Sequence, residues 1–182
     1  MKIFKLALLL CLTTFKFSTA SATVTALSEL PVSARQAVSI WNVNFRPFAM
    51  SNYVNDVQEL FTDLAREAPM RVIADFNGDQ IDDYALLGEA GGQQFLIIVA
   101  SGKRWQVLEV EKWSEPNFKN SSIPSLKGVS TGVPVYVSKA SGSLADSFKA
   151  SRKRDVLQLE AYLGSVRLFG IDGTKVRELK PQ

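Results

Sequence analysis

The chain has 182 residues with no histidine and a single cysteine at position 11, which excludes Ser-His and Cys-His nucleophiles and histidine-ligated zinc or iron. Its 21 basic residues outnumber its 18 acidic ones, but three of the lysines lie within the first 22 residues. The remaining 160 residues carry 18 basic and 18 acidic side chains, and this neutral balance gives no support for nucleic acid or acidic membranes as partners.

Residues 1–22 have the pattern of a secretory signal peptide. Two lysines precede the apolar run LALLLCL (6–12), and the segment ends on Ala20-Ser21-Ala22, the small-x-small pattern after which signal peptidase cuts. The run is too short for a membrane helix of roughly 20 residues, so we expect no membrane span. Export to the periplasm or the extracellular medium follows, and residues 23–182 are expected to form a single domain without disulfides.

Two helices are predicted before the first strand. The first has an apolar stripe at helical spacing, formed by Ala34, Ala37, Val38 and Trp41. The second lies within SNYVNDVQELFTDLAREAP (51–69), and its stripe consists of Tyr53, Val57, Leu60 and Leu64. Pro69 ends this second helix, because proline cannot continue the backbone hydrogen-bond ladder.

From Met70 onward the pattern is typical of β-strands. The predicted strands are MRVIADF, YALLG, QFLIIVA, WQVLEVEKW, VPVYVSK, DVLQLEAY, SVRLFG and KVREL. Residues 114–130 and 138–154 are polar and read as loops, the second with one short helical turn at most. The predicted fold class is therefore α+β, an antiparallel sheet of about 6–8 strands with two N-terminal helices packed against it.

The second helix and the central strands are expected to share one hydrophobic core. The residues predicted to be mostly buried are Val57, Leu60, Leu64, Ile73, Leu86, Leu96, Ile98, Val107 and Leu168.

The stretch DFNGDQIDDYALLG (75–88) crowds four aspartates into nine positions and then turns apolar. With its first aspartate as position 1, oxygen-bearing side chains fall at positions 3, 5 and 9, and the backbone carbonyl at position 7 is also available. Such a loop offers about five or six hard oxygen ligands, the number that Ca²⁺ prefers. Position 12 is Leu86 where an EF-hand needs an acid, so an EF-hand is excluded.

The same 14 residues resemble the calcium loop of FG-GAP repeats, found in integrin α-subunit propellers and in bacterial VCBS-type repeats. The resemblance implies a calcium hairpin over residues 70–88. The ligands that it implies are Asp75, Asn77, Asp79 and Asp83, with the carbonyl of Ile81. The chain has one copy, as small exported bacterial proteins of uncharacterised function do, so neither a propeller nor integrin-like ligand binding is implied.

One residue departs from the family pattern. Gln80 stands at position 6, where the family prefers glycine, and a non-glycine residue with positive φ costs on the order of 1 kcal/mol. The competing interpretation of the stretch is a solvated acidic hairpin in which Asn77-Gly78 forms the turn.

Three functions are compatible with these features. The first is a non-enzymatic exported calcium-binding module that contacts a protein or a surface glycan, and the second is a periplasmic inhibitor or immunity protein. The third is a carboxylate enzyme acting on cell-wall glycan, for which the alternation places Glu109 and Glu111 on one strand face with Trp105 and Trp113. An exposed strand face explains that last pattern more simply, so no enzymatic activity is expected.

The signal peptide makes the first prediction. Cleavage is expected between Ala22 and Thr23, and the intact mass of the exported protein measures it. An exported species that still contains Lys16, or one with a lipid on Cys11, would contradict this.

Overall fold

The computed structural model describes residues 26–63, 68–114, 135–161 and 166–180, so the predicted signal segment and Leu64 lie outside the described residues. Within these ranges the chain forms three α-helices and nine strands. The helices are α1 (Val32–Trp41), α2 (Asn55–Asp63) and α3 (Ser143–Arg152). The strands are β1 (Arg46–Pro47), β2 (Arg71–Ala74), β3 (Asp83–Ala90), β4 (Gln93–Ala100), β5 (Gln106–Ser114), β6 (Val135–Lys139), β7 (Leu157–Ala161), β8 (Val166–Asp172) and β9 (Lys175–Leu179). No helix among the described residues is long and apolar enough to cross a membrane.

The strands form two antiparallel sheets. The first has the order β1-β3-β4-β5. Strand β2 also pairs with β3, on a different part of that strand from β1. The second is a meander of β6, β7, β8 and β9. The α+β class and the antiparallel pairing are confirmed, but the prediction of one sheet of about 6–8 strands is wrong, because the described residues form nine strands in two sheets. Alternation of apolar and polar residues identifies strands without showing which sheet each one joins.

Strand β4 is the centre of the first sheet, as its continuous apolar run predicts. All of its residues after Gln93 are buried. Trp41 of α1 packs edge-to-face on Phe95, with 5.3 Å between ring centroids. Because successive side chains alternate across a strand, Leu96 and Ile98 lie on the face of β4 opposite Phe95 and α1. The second sheet contributes Val137, Leu157, Phe169 and Ile171 to the same hydrophobic core.

The edges of the two sheets also meet. On one side the amide of Val137 in β6 donates to the carbonyl of Pro69, just before β2, at 3.0 Å. On the other side Arg167 of β8 bonds Glu111 of β5 and Glu178 of β9. The hydrogen bonds that Arg167 donates to Glu178 and Glu111 raise its pKa, so this residue between the two sheets keeps its positive charge.

Helix α3 occupies part of the region that the sequence predicts to be a polar loop. It begins after Gly142, whose φ is 96°, and ends before Lys153, whose φ is 55°. Ala145 is buried, and the ring of Phe148 lies so close to Gly170 of β8 that a β-carbon there would come within 2.5 Å of it. The prediction of at most one helical turn is therefore wrong. The apolar side of α3 consists of few residues, and the polar residues around them hide it in the sequence.

The predicted core is mostly confirmed. Val57, Leu86, Leu96 and Ile98 are buried, and Leu60 and Val107 are partly buried against the core. Leu168 is only half-buried. The prediction that Ile73 is buried is wrong, because its side chain is 36% exposed while Val72 and Ala74 are buried. Alternation along β2 places its two neighbours on the inner face and Ile73 on the outer one.

Truncation of Leu96 and Ile73 tests this assignment. Leu96→Ala is expected to lower the free energy of unfolding by roughly 2–5 kcal/mol, the range for a leucine truncated in a packed core. Ile73→Ala is the matched control and should cost less than about 1 kcal/mol, because much of its side chain is already in water. Equal losses of unfolding free energy for the two variants, measured by urea denaturation, would show that Ile73 lies on the inner face of β2.

Candidate functional site

The acidic loop connects β2 to β3. Ala74 pairs with Asp83 across the two strands, so strand pairing closes the base of the loop, and Phe76 is anchored in the core. Gly78 has a φ of 86° and Gln80 has a φ of 67°. The positive φ considered for position 6 is therefore present, and glutamine occupies a conformation that favours glycine.

Backbone amides orient the aspartates of the loop. The carboxylate of Asp75 accepts hydrogen bonds from the amides of Gly78 at 2.6 Å, Asp79 at 3.2 Å and Gln80 at 3.0 Å. The carboxylate of Asp79 accepts one from the amide of Ile81 at 2.9 Å. Each of these hydrogen bonds occupies one lone pair of the carboxylate and leaves other lone pairs of the same carboxylate unused.

Asp83 is the buried member of the set, with no exposed surface. Its Oδ2 accepts the amides of Phe76 and Asn77 at 2.9 and 3.0 Å. Its Oδ1 accepts the amide of Ser101 at 2.7 Å, the hydroxyl of Ser101 at 2.8 Å and the Asn77 side chain at 3.2 Å. Burial raises the pKa of Asp83, and the bonds from Ser101, Asn77 and Phe76 oppose that rise.

Ser101 belongs to the site although the sequence does not predict it. Its Oγ lies 3.0 and 2.9 Å from the two carboxylate oxygens of Asp79 and 2.8 Å from Oδ1 of Asp83. A hydroxyl has only one proton to donate, so two carboxylates converge on a single donor. The residue follows β4, and only the pairing of β3 with β4 brings it to the loop.

The connection between α3 and β7 holds the other side of the loop. The amide of Asp155 donates to the carbonyl of Asp75 at 2.8 Å. The side chain of Arg154 crosses Gly78 so closely that a β-carbon at Gly78 would lie 2.8 Å from its Cγ. The guanidinium of Arg154 then donates to the carbonyl of Ile171 at 2.7 Å. Glycine at position 78 thus meets two demands, the positive φ and the close approach of Arg154.

A lysine pair flanks this contact. The carboxylate of Asp155 is nearly buried and bonds Lys139 and Lys149, each at 2.8 Å. Burial alone would raise the pKa of Asp155, but the hydrogen bonds from the two lysines outweigh it and lower that pKa. The hydrogen bond that Lys149 donates to Asp155 raises the pKa of Lys149. The pairing therefore depends on an ionised Asp155.

The five predicted metal ligands are placed as follows. Ser101 brings Asp79, Asp83 and Asn77 together, and Asp75 is tied to the amides of residues 78–80. Ile81 has an exposed side chain, and only its backbone carbonyl belongs to the predicted set. In the part of the chain that the structure describes, no three acidic, histidine or cysteine side chains are spaced to hold a metal ion. The donor chemistry fits a hard cation, since every predicted ligand atom is an oxygen.

The paired glutamates predicted on β5 are separated. Glu109 lies opposite Ile97 and Glu111 lies opposite Leu96, because a β-bulge interrupts the pairing there. Adjacent residues of β4 point to opposite faces, so the two glutamates do as well. The arrangement of both glutamates and both tryptophans on one face is therefore wrong, and Glu111 instead bonds Arg167.

Comparisons with protein-family models, curated proteins and solved structures give no significant match to this chain.

The ion pairs of Asp155 predict a pH dependence. Because its folded-state pKa lies below the ordinary value of 3.8, the stabilisation is complete above that pH and is lost as pH falls through the folded-state pKa. Asp155→Asn should lower the free energy of unfolding at neutral pH by about 1–3 kcal/mol, the range for bonds to charged groups. The difference from wild type should shrink below pH 3.8.

Asp172→Asn is the control, because Asp172 forms an exposed pair with Arg177 at 3.3 Å that is worth little. Denaturant unfolding of the three proteins across pH measures both effects. An Asp155→Asn defect that persists unchanged into acid would show that the lysine pairs are not its cause.

Proposed function

We propose that the chain is a non-enzymatic exported calcium-binding module that contacts a protein or a surface glycan. The observation that carries the proposal is the convergence of Asp79 and Asp83 on the single hydroxyl of Ser101, with distances of 2.8–3.0 Å. None of the ion pairs between described residues involves an aspartate of this loop. Two carboxylates that converge on one hydroxyl donor leave negative charge that a bound cation would compensate.

Calcium would be held by the oxygens of Asp75, Asn77, Asp79 and Asp83 and by the carbonyl of Ile81, and when bound it supplies positive charge among these groups. Asp75 and Asp79 keep unused lone pairs after their bonds to the loop amides. Asp83 already accepts five hydrogen bonds, so to become a ligand it has to give up the bond from the Ser101 hydroxyl while it keeps the bond from the Ser101 amide. Three carboxylates and a glutamine at position 6 favour weak binding, about 0.1–1 mM as in extracellular modules.

The proposed role of the ion is structural. The candidate ligands come from one local loop, which contacts Ser101 after β4 and Asp155 after α3. An ion there would fix the loop against both sheets. Export of the chain is part of the proposal and depends on the N-terminal signal pattern.

A periplasmic inhibitor or immunity protein is the second candidate. It is favoured by three exposed apolar side chains on and just after α1: Val32 at 61%, Ile40 at 87% and Val43 at 68%. Such a surface suits a protein partner. Affinity capture from periplasm with wild type and with Ile40→Asp distinguishes the candidates, since an inhibitor should retain one tight partner that the variant loses.

Calcium should stabilise the fold through the loop. At about 1 mM free Ca²⁺ and a dissociation constant near 0.1 mM, linkage gives roughly 1.4 kcal/mol. That corresponds to an increase in Tm of about 3–6 °C relative to EDTA. Mg²⁺ should give a smaller shift, because it resists dehydration and requires a tighter octahedron.

Variants assign the shift to the loop. Asp79→Ala should abolish it, and Gln80→Gly should enlarge it, since glycine accepts the φ of 67° without strain. Asp82→Ala is the matched control, an acid of the same loop outside the ligand set, and should keep a shift. Identical wild-type curves in EDTA and calcium would leave only the solvated-hairpin interpretation.

A further inference from the structure

A groove of about 420 Å³ lies on the outer side of the molecule, between α2, the exposed side of β2 and the β6-β7 pair. It is lined by Phe61, Ile73, Ser138, Lys139, Ser141, Gln158 and Glu160. All of its lining residues are described in the structure, and none belongs to the acidic loop. Its volume lies within the range of small-ligand sites.

A fixed carboxylate stands in this groove. The hydroxyl of Tyr136 donates to Oε1 of Glu160, and the amide of Gln158 donates to Oε2 at 2.9 Å. Tyr136 is itself only 3% exposed and packs edge-to-face on Phe61 at 5.1 Å between ring centroids. With one donor on each oxygen, Glu160 keeps unused lone pairs for a ligand and loses little side-chain freedom on binding.

The charges around the groove cancel. Lys139 lines it and bonds Asp155, which also bonds Lys149. Together with Glu160 these make two positive and two negative groups. An acidic ligand would meet Glu160 and a cationic ligand would meet Lys139, so the balance favours a neutral ligand.

The remaining lining combines hydrogen-bonding groups with an apolar wall. Ser138 and Ser141 offer hydroxyls that both donate and accept, and Gln158 offers an amide. Ile73 of β2 lies on the groove with 36% of its surface exposed, although its side chain is apolar. A ligand with many hydroxyls and an apolar face of C–H groups matches this combination.

We propose that the groove binds a neutral saccharide unit, with Glu160 and Gln158 bonding its hydroxyls and Ile73 covering its apolar face. The saccharide would be the surface glycan named in the proposed function. To that extent this inference rests on the proposed function. It does not depend on calcium, because the groove and the acidic loop have no residue in common.

Saturation-transfer NMR of the exported chain tests the proposal with cellobiose, lactose and N,N′-diacetylchitobiose as neutral probes and glucuronate as an acidic one. Saturation should transfer to at least one neutral disaccharide, and titration should shift the backbone amides of Ser138, Ser141 and Glu160. Glu160→Gln should weaken binding about tenfold or more, as expected when a charge-assisted hydrogen bond is lost.

Two further variants separate binding from folding. Ser141→Trp fills the groove from an exposed position outside the strands, so it should abolish transfer while Tm stays near that of wild type. Glu109→Gln is the control, an exposed glutamate on the other sheet, and should bind as wild type does.

Absence of transfer to every neutral probe, transfer to glucuronate alone, or binding unchanged in both Glu160→Gln and Ser141→Trp would overturn the proposal. Repeating the titration in EDTA distinguishes the saccharide-binding proposal from the calcium-binding proposal. Saccharide binding without a calcium-dependent Tm would contradict only the calcium loop, and the reverse result would contradict only the groove.

Discussion

A carboxylate with no exposed surface has to find all of its hydrogen-bond donors inside the protein, and Asp83 imposes that constraint on this fold. Its five donor contacts come from Phe76 and Asn77 in the loop and from Ser101 beyond β4. Leaving such a group without its donors costs several kcal/mol. These hydrogen bonds therefore fix together the loop conformation, the pairing of β3 with β4 and the position of Ser101. The arrangement of the candidate calcium ligands follows from this buried network of hydrogen bonds.

The same end of the molecule links the two sheets. Asp155 uses its amide to hold the loop at Asp75 and its carboxylate to hold Lys139, which lines the groove on the outer face. The acidic loop and the groove are thus separate surfaces that share one anchoring residue. An ion on the loop would stiffen that anchor without contacting a ligand in the groove. Under the two proposals, calcium would serve stability and the groove would serve recognition.

The sequence predicts best what depends on neighbouring residues. The hairpin over residues 70–88 and the central place of β4 follow from contiguous patterns, and position 6 of the loop has the positive φ that the glycine preference of FG-GAP loops at that position suggested. Features that depend on long-range pairing could not be predicted. Ser101 reaches the loop through strand register, and the bulge that separates Glu109 from Glu111 has no signal in an alternating strand. Ile73 shows the same limit, since the phase of a four-residue strand depends on which face its neighbours cover.

Native-state hydrogen exchange at the amides of Ser101 and Asp155 tests the central claim most directly, because these two groups tie the loop to Asp83 and to the second sheet. Calcium binding to the folded loop should slow exchange at both amides by about tenfold relative to EDTA, the factor that linkage gives at ten times the dissociation constant. Amides in α1, remote from the loop, should change less if the opening is local. Equal exchange rates for Ser101 and Asp155 in calcium and in EDTA would contradict the account.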